Sequence, residues 1–208
     1  MIDTKPTSWY IMVMKNSNTK DLIIENAYAI ILDRGYPAAT VDEICRIAGV
    51  SKGSFFHYFK TKEALGLEVL EWYYKRAMQL VGTGTFALET DPVKRIYLFL
   101  DHLNAVSYEL WSKGCLLGSF ASYLAATGEQ IANQVSKLFN NLVLNLAPLF
   151  EPVLNRLENE DRPTAPELAE QLLQIIEGSI VMARAYNDWN HVPKAIENFR
   201  KYLQLLVK

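Results

Sequence analysis

The stretch from Thr40 to Leu65 constrains this chain more than any other. It reads as a short helix, a glycine turn, a second short helix and the start of a third. Thr40 is placed to cap the first helix, with Glu43 three residues on to complete a capping box. Val41, Ile44, Cys45 and Ala48 recur at helical spacing and predict one apolar face. Gly49 stands where the chain must reverse, because glycine reaches positive φ without a Cβ clash. Val50 returns to the core and Ser51 caps the next helix, whose exposed start carries Lys52, Gly53 and Ser54. Gly53 and Ser54 are weak helix formers, but their small size lets a backbone approach another surface closely. Phe55 and Phe59, four apart, are expected to point inward, while Phe56, His57 and Tyr58 divide between core and surface. Thr61 caps a third helix with Lys62 in its first turn, where the helix dipole disfavours a cation and a nearby phosphate would favour one. Helices in this succession place a helix end in the major groove of DNA.

The run from Ala48 to Phe59, followed by Thr61-Lys62-Glu63-Ala64-Leu65, resembles the TetR family of one-component transcriptional regulators. Ala27 to Ala39, with Arg34-Gly35-Tyr36, is similar to that family's first helix and exit turn. The resemblance covers about residues 19 to 70 and implies that Thr40, Ser51, Lys52, Gly53, Ser54, Phe56, His57, Tyr58 and Lys62 line the DNA side. One departure stands out. Members often carry a tyrosine where this chain has Phe56, so a hydroxyl contact to phosphate is missing, although apolar contact to a thymine methyl group is open.

Composition narrows the alternatives. Hydrophobic residues make up 50% and charged residues 21%, as in a globular chain rather than a disordered one. The net charge of −2 carries no bulk signature of nucleic-acid binding. Residues 1–65 hold 8 basic and 7 acidic side chains, against 13 and 16 in the remainder, so DNA affinity must come from a local face. Two cysteines without a Cys-x-x-Cys motif and three scattered histidines argue against a disulfide framework or a zinc site, and no cofactor is expected. That usage suits a reducing cytoplasm. Trp9 to Met14 is apolar but too short to span a membrane, and Met14 is an alternative start.

Helical patterning runs through the rest, so the expected fold is all-α with about nine helices. An arm of residues 1–18 precedes a helix-turn-helix domain at 19–65 and a regulatory and dimerisation domain at 66–208. The first helix is expected at Thr19–Arg34, with Ile23, Ala27, Ile30 and Ile31 inward. A linking helix runs from Thr61 towards Val81 and breaks at Gly82-Thr83-Gly84-Thr85. Asp91-Pro92 opens the next, to about Ser112. Another is expected from Cys115 to Thr127, then a long one from Glu129 to Glu158 bent at Pro148 and Pro152. A loop at 159–164 separates it from final helices at Ala165–Asp188 and Val192–Val207.

The body has two tasks if the resemblance holds. Leu172, Ile175, Ile176, Ser179, Ile180, Ala183, Leu203 and Leu206 are expected to form a homodimer interface between the last two helices. Tyr73, Phe99, His102, Tyr108, Trp111, Cys115, Phe120, Tyr123 and Phe139 form an aromatic-rich set expected to line a pocket for a small effector. Gly114-Cys115-Leu116 is similar to a sequence found in TetR-like repressors that answer electrophiles or oxidants, the N-ethylmaleimide-reductase-repressor-like branch. A helix N-terminus lowers a thiol's pKa, with Lys113 or Arg184 as possible helpers. The expected function is a repressor released from a palindromic operator by a ligand or by cysteine modification. An all-helical adaptor is the alternative. An all-α enzyme has no supporting motif: no Glu-x-x-His, no paired-histidine metal motif and no Ser/His/Asp arrangement emerge.

Overall fold

The computed structural model describes residues 18–157 and 162–206, so residues 1–17 of the expected arm and part of the loop at 159–164 lie outside the described residues. Among the described residues there are nine α-helices and no strand. They are α1 (Thr19–Arg34), α2 (Val41–Ala48), α3 (Lys52–Tyr58), α4 (Lys62–Gly82), α5 (Pro92–Trp111), α6 (Leu116–Ala121), α7 (Glu129–Leu154), α8 (Ala165–Tyr186) and α9 (His191–Leu206).

Local chemistry sets most of these boundaries. The side chains of Asn18, Thr40, Ser51, Thr61, Asp91 and Thr164 each accept a backbone N–H at the start of a helix, meeting donors that would otherwise have no partner. At α2 only half of the anticipated capping box forms. Thr40 accepts the Glu43 N–H, but the Glu43 carboxylate turns to Arg34 at 2.6 Å. Thr164 and Glu167 make the full reciprocal box at α8. Gly49 closes α2 at φ 67°, a left-handed position, as its place between two helices requires.

The segment after Cys115 departs from expectation. Helix α6 ends at Ala121, a 3-10 turn follows at Leu124–Ala126, and α7 starts afresh at Glu129. Gly118, Ser119 and Ser122 are poor helix formers, and the Ser122 hydroxyl donates to the Gly118 carbonyl instead of leaving the turn to propagate. Pro148 and Pro152 both lie within α7, which continues through them to Leu154.

One apolar core runs from Ile23 on α1 to Leu203 on α9. In α1–α3 it is built on Ile23, Ala27, Ile31, Ile44, Phe55 and Phe59, so both phenylalanines point inward as their spacing predicts. Helix α4 carries the chain from this unit into the body, where α7 and α9 flank α8 and α9 also packs on α5. Short α6 is wedged between α1, α4 and α7. Among the described residues no helix is long and apolar enough to cross a membrane.

Candidate DNA-binding face and effector cavity

Helices α2 and α3, joined through Gly49, Val50 and Ser51, form the helix-turn-helix. Burying Phe55 and Phe59 on one side of α3 leaves Lys52, Gly53, Phe56, His57 and Tyr58 exposed on the other. Ser54 is half-buried; its N–H donates to the Ser51 hydroxyl at 3.0 Å. Phe56 is 45% and Tyr58 41% exposed, large apolar areas to leave in water on a seven-residue helix. Phe56 stands edge-on to Phe55 with ring centres 5.3 Å apart, and His57 stands edge-on to Tyr58 at 4.9 Å.

The cations are held in different ways. Lys52 pairs with Asp42 at 2.7 Å, an exposed contact of the kind worth only ~0–1 kcal/mol and readily exchanged for a phosphate. Lys62 is turned onto the protein. Its ammonium donates to the Pro37 carbonyl at 3.1 Å, lies 4.4 Å from the centre of the Tyr36 ring, and has its pKa lowered by burial. Those contacts offset its unfavourable place in the first turn of α4, so no phosphate is needed to explain it. Two cations missed by the sequence reading are exposed here: Arg46 on α2, and Lys60 just past α3, which donates to the Phe56 carbonyl. Their signal was position alone, since each flanks the turn or the end of α3.

In the body, α4, α5, α6, α7 and α8 enclose an apolar cavity of about 70 Å³. Of the expected pocket residues, Tyr73, Phe99, Trp111 and Cys115 line it. The other five do not. His102 turns its ring nitrogen to the Leu80 carbonyl at 2.9 Å and packs beside Phe86. Tyr108 is 61% exposed and stands edge-on to Trp189. Phe120 is buried against Tyr36, ring centres 4.8 Å apart, and Tyr123 lies over Gly35. Phe139 packs on the core from its edge. Aromatic residues on these helices therefore serve several neighbours, and only those facing α8 reach the cavity.

Glu177 on α8 is a cavity residue that sequence reasoning missed. It lines the cavity, largely buried, and burial raises its carboxyl pKa. Its carboxylate accepts a hydrogen bond from the Cys115 thiol and lies against Gly118, where a Cβ would stand 2.5 Å from Oε2. Tyr73 donates its hydroxyl to Cys115 Sγ at 3.7 Å. The expected activation of Cys115 is corrected by this setting. Burial foremost, then the negative charge of Glu177, push the thiol well above its ordinary range, so it is held as a neutral thiol. Its place before the first turn of α6 does not reverse that.

The expected dimer stripe is also corrected. Leu172, Ile176, Ser179, Ile180, Ala183 and Leu203 are buried within the single chain, and Leu172 and Ile176 face the cavity. Side chains already covered by their own helices cannot form an intermolecular surface. Ile175 and Leu206 are half-buried at the edge of the same core.

Residues 23–69 match the family model for bacterial regulatory proteins of the tetR family, which spans α1–α3 and the start of α4. That match makes residues 23–69 a DNA-binding domain of the TetR family. The chain is 26% identical over 171 residues to the HTH-type transcriptional repressor DhaR from Mycobacterium sp. (strain GP1), covering 81% of this chain and 83% of that one. It is 26% identical over 139 residues to the repressor NemR from Escherichia coli (strain K12), covering 64% and 68%. A TetR transcriptional regulator from Legionella pneumophila superposes with a TM-score of 0.73 at 27% identity, over 94% of this chain and all of that one (100%). These relatives are transcriptional regulators rather than enzymes.

Proposed function

We infer that this TetR-family regulator is a cytoplasmic, homodimeric repressor that binds a palindromic operator through α2 and α3 and releases it when a small effector occupies the body cavity. The observation that carries this reading is the continuity of α6 with both sites. Leu117 lines the cavity, and one turn on Phe120 packs on Tyr36. The Ser119 hydroxyl donates to the Ile31 carbonyl of α1 at 3.3 Å, so a shift of α6 acts directly on the helix that supports the reading head. Helix-turn-helix dimers read half-sites ~34–36 Å apart, and a small change in head separation breaks that match. Names of the relatives as repressors support the sign of regulation.

Dimerisation is assigned to the outer face of α8. Ile175, Gly178, Met182 and Tyr186 fall three or four residues apart, with Val181 three beyond Gly178, hence on one side of the helix. Val181 is 65% and Tyr186 66% exposed, and nothing stands over Gly178. Release through the neutral, buried Cys115 would require the protein to open first, which favours non-covalent ligand binding over cysteine modification.

The test is a gel-shift titration with DNA flanking the protein's own gene at two salt concentrations, for wild type, Lys52→Ala and Val181→Glu. Sequence-selective binding that weakens steeply with salt is expected. Lys52→Ala should weaken it while leaving the dimer intact, and Val181→Glu should yield a folded monomer of 23.7 kDa in sedimentation. If no palindromic sequence competes better than random DNA, the repressor reading fails.

A further inference from the structure

The effector cavity has an electrostatic bias. Among the described residues lining it, Glu177 is the only charged side chain, and no lysine, arginine or histidine joins it. Apart from the amide of Asn145, which donates to the Tyr74 hydroxyl at 2.9 Å, the remaining wall is apolar or aromatic, with the rings of Tyr73, Tyr74, Phe99 and Trp111. The hydrogen-bond partner of Glu177 there is the Cys115 thiol, a weak donor. A carboxylate in an apolar wall with so weak a partner is costly, and a ligand that supplies the missing positive charge removes the cost. An acid perturbed by burial and set in a cavity wall is a candidate ligand-binding group.

Three classes of small ligand can be weighed against this wall. An anion meets Glu177 with no compensating cation. A neutral apolar molecule fills the space but leaves the acid as it was. An organic cation places its charge against the carboxylate, and its charge and alkyl groups against aromatic faces, which attract cations. The cavity of about 70 Å³ is small beside the ~300–1,000 Å³ of drug-sized sites, so the ligand is short or the walls yield to it.

We propose that the cavity binds a small apolar amine or quaternary ammonium ion, paired with Glu177 and packed on the rings of Tyr73, Tyr74 and Trp111. This rests on the cavity being the effector site. Gly118 is part of the fit, because its missing side chain lets the carboxylate lie over α6. A cation drawn to Glu177 takes that carboxylate away from Cys115 and Gly118 on α6, which is how this ligand class would be felt at the reading head.

The test is isothermal titration of the full chain, without DNA, with n-butylammonium, n-butanol and butyrate at matched ionic strength. Wild type should bind the amine at least about tenfold more tightly than the alcohol, ~1.4 kcal/mol being tenfold, with butyrate weakest. Glu177→Gln should bring amine and alcohol level. Equal or tighter binding of alcohol or butyrate by wild type overturns the proposal. So does an undiminished amine preference in folded Glu177→Gln, or no binding of either n-butylammonium or tetraethylammonium. The wild-type ranking decides alone if the variant does not fold. Operator release is read separately with the same probes: amine binding without release defeats the effector reading and leaves the ligand class standing, whereas release by other compounds without amine binding does the reverse.

Discussion

Gly35 lies at the seam between the reading head and the body, and its replacement by alanine separates backbone strain from contact. It closes α1 with φ 81° and ψ 159°, a combination essentially confined to glycine, in which other residues cost ~1–3 kcal/mol. A Cβ there would stand 2.5 Å from Cε2 of Tyr123. That ring is partly exposed and can swing outward, so the contact adds less than a clash with backbone would. Alanine also stiffens the unfolded chain, returning ~0.4–1 kcal/mol where the native conformation is compatible. The net expectation is a loss of about 2 kcal/mol for Gly35→Ala, or ~4–8 °C in Tm for a chain of this size. Urea unfolding at one fixed protomer concentration measures it, since subunit association would otherwise shift the midpoint. Repeating the substitution in a Tyr123→Ala background removes the ring and leaves the strain, so at least about 1 kcal/mol of the loss should persist. If the double variant is as stable as Tyr123→Ala alone, the backbone of Gly35 is not the constraint and the argument from its φ is wrong. Operator affinity should fall alongside stability in both backgrounds, because α1 and the turn to α2 move together.

Cys115 should react sluggishly with a maleimide at neutral pH in the folded protein, and Glu177→Gln should accelerate it by removing the anion that opposes the thiolate; mass spectrometry over time reads both rates. Glu177, whose carboxyl pKa is raised by burial, stabilises the fold below its ordinary value of 4.5 and loses that contribution as pH rises through the raised value. Denaturant titrations of wild type and Glu177→Gln should therefore nearly coincide at low pH and diverge in favour of the variant as pH rises above about 4.5. Phe56→Tyr adds a hydroxyl to a ring already 45% exposed, so stability should change by less than ~0.5 kcal/mol. If that ring faces a phosphate, operator affinity in a gel shift should rise about fivefold.

The reading head was legible because its signals are local. Thr40, Ser51 and Thr61 each cap the helix that follows, Gly49 takes the left-handed turn, and Phe55 and Phe59 pack inward. Each depends on residues within four positions of itself, which a sequence displays directly. The body is different because helical spacing shows that a stripe is buried but not what buries it. Leu172, Ile176, Ile180 and Ala183 form such a stripe, and the neighbouring helices cover it within one chain. Tyr108 and Tyr123 belong to the same aromatic set as Tyr73, yet face outward from the cavity. Glu177 was invisible for the opposite reason: a lone glutamate on an amphipathic helix ordinarily faces water, and only the approach of α6 at Gly118 makes this one part of a cavity wall.

Short α6 is where these two kinds of information meet. Its six residues bury Leu116, Leu117 and Phe120, leaving almost no surface of its own in contact with solvent on that side. A closely packed element of that size moves as a piece or not at all, because interiors resist gradual deformation. Cys115 and Leu117 tie its start to the cavity, while Phe120 on Tyr36 and Ser119 on Ile31 tie its end to the head. Tyr36 in turn carries Lys62 on its ring and packs within reach of Gly66 at the start of α4. A ligand that binds more tightly when α6 is displaced therefore has to repack Tyr36, and with it the first turn of α4 that carries the reading head.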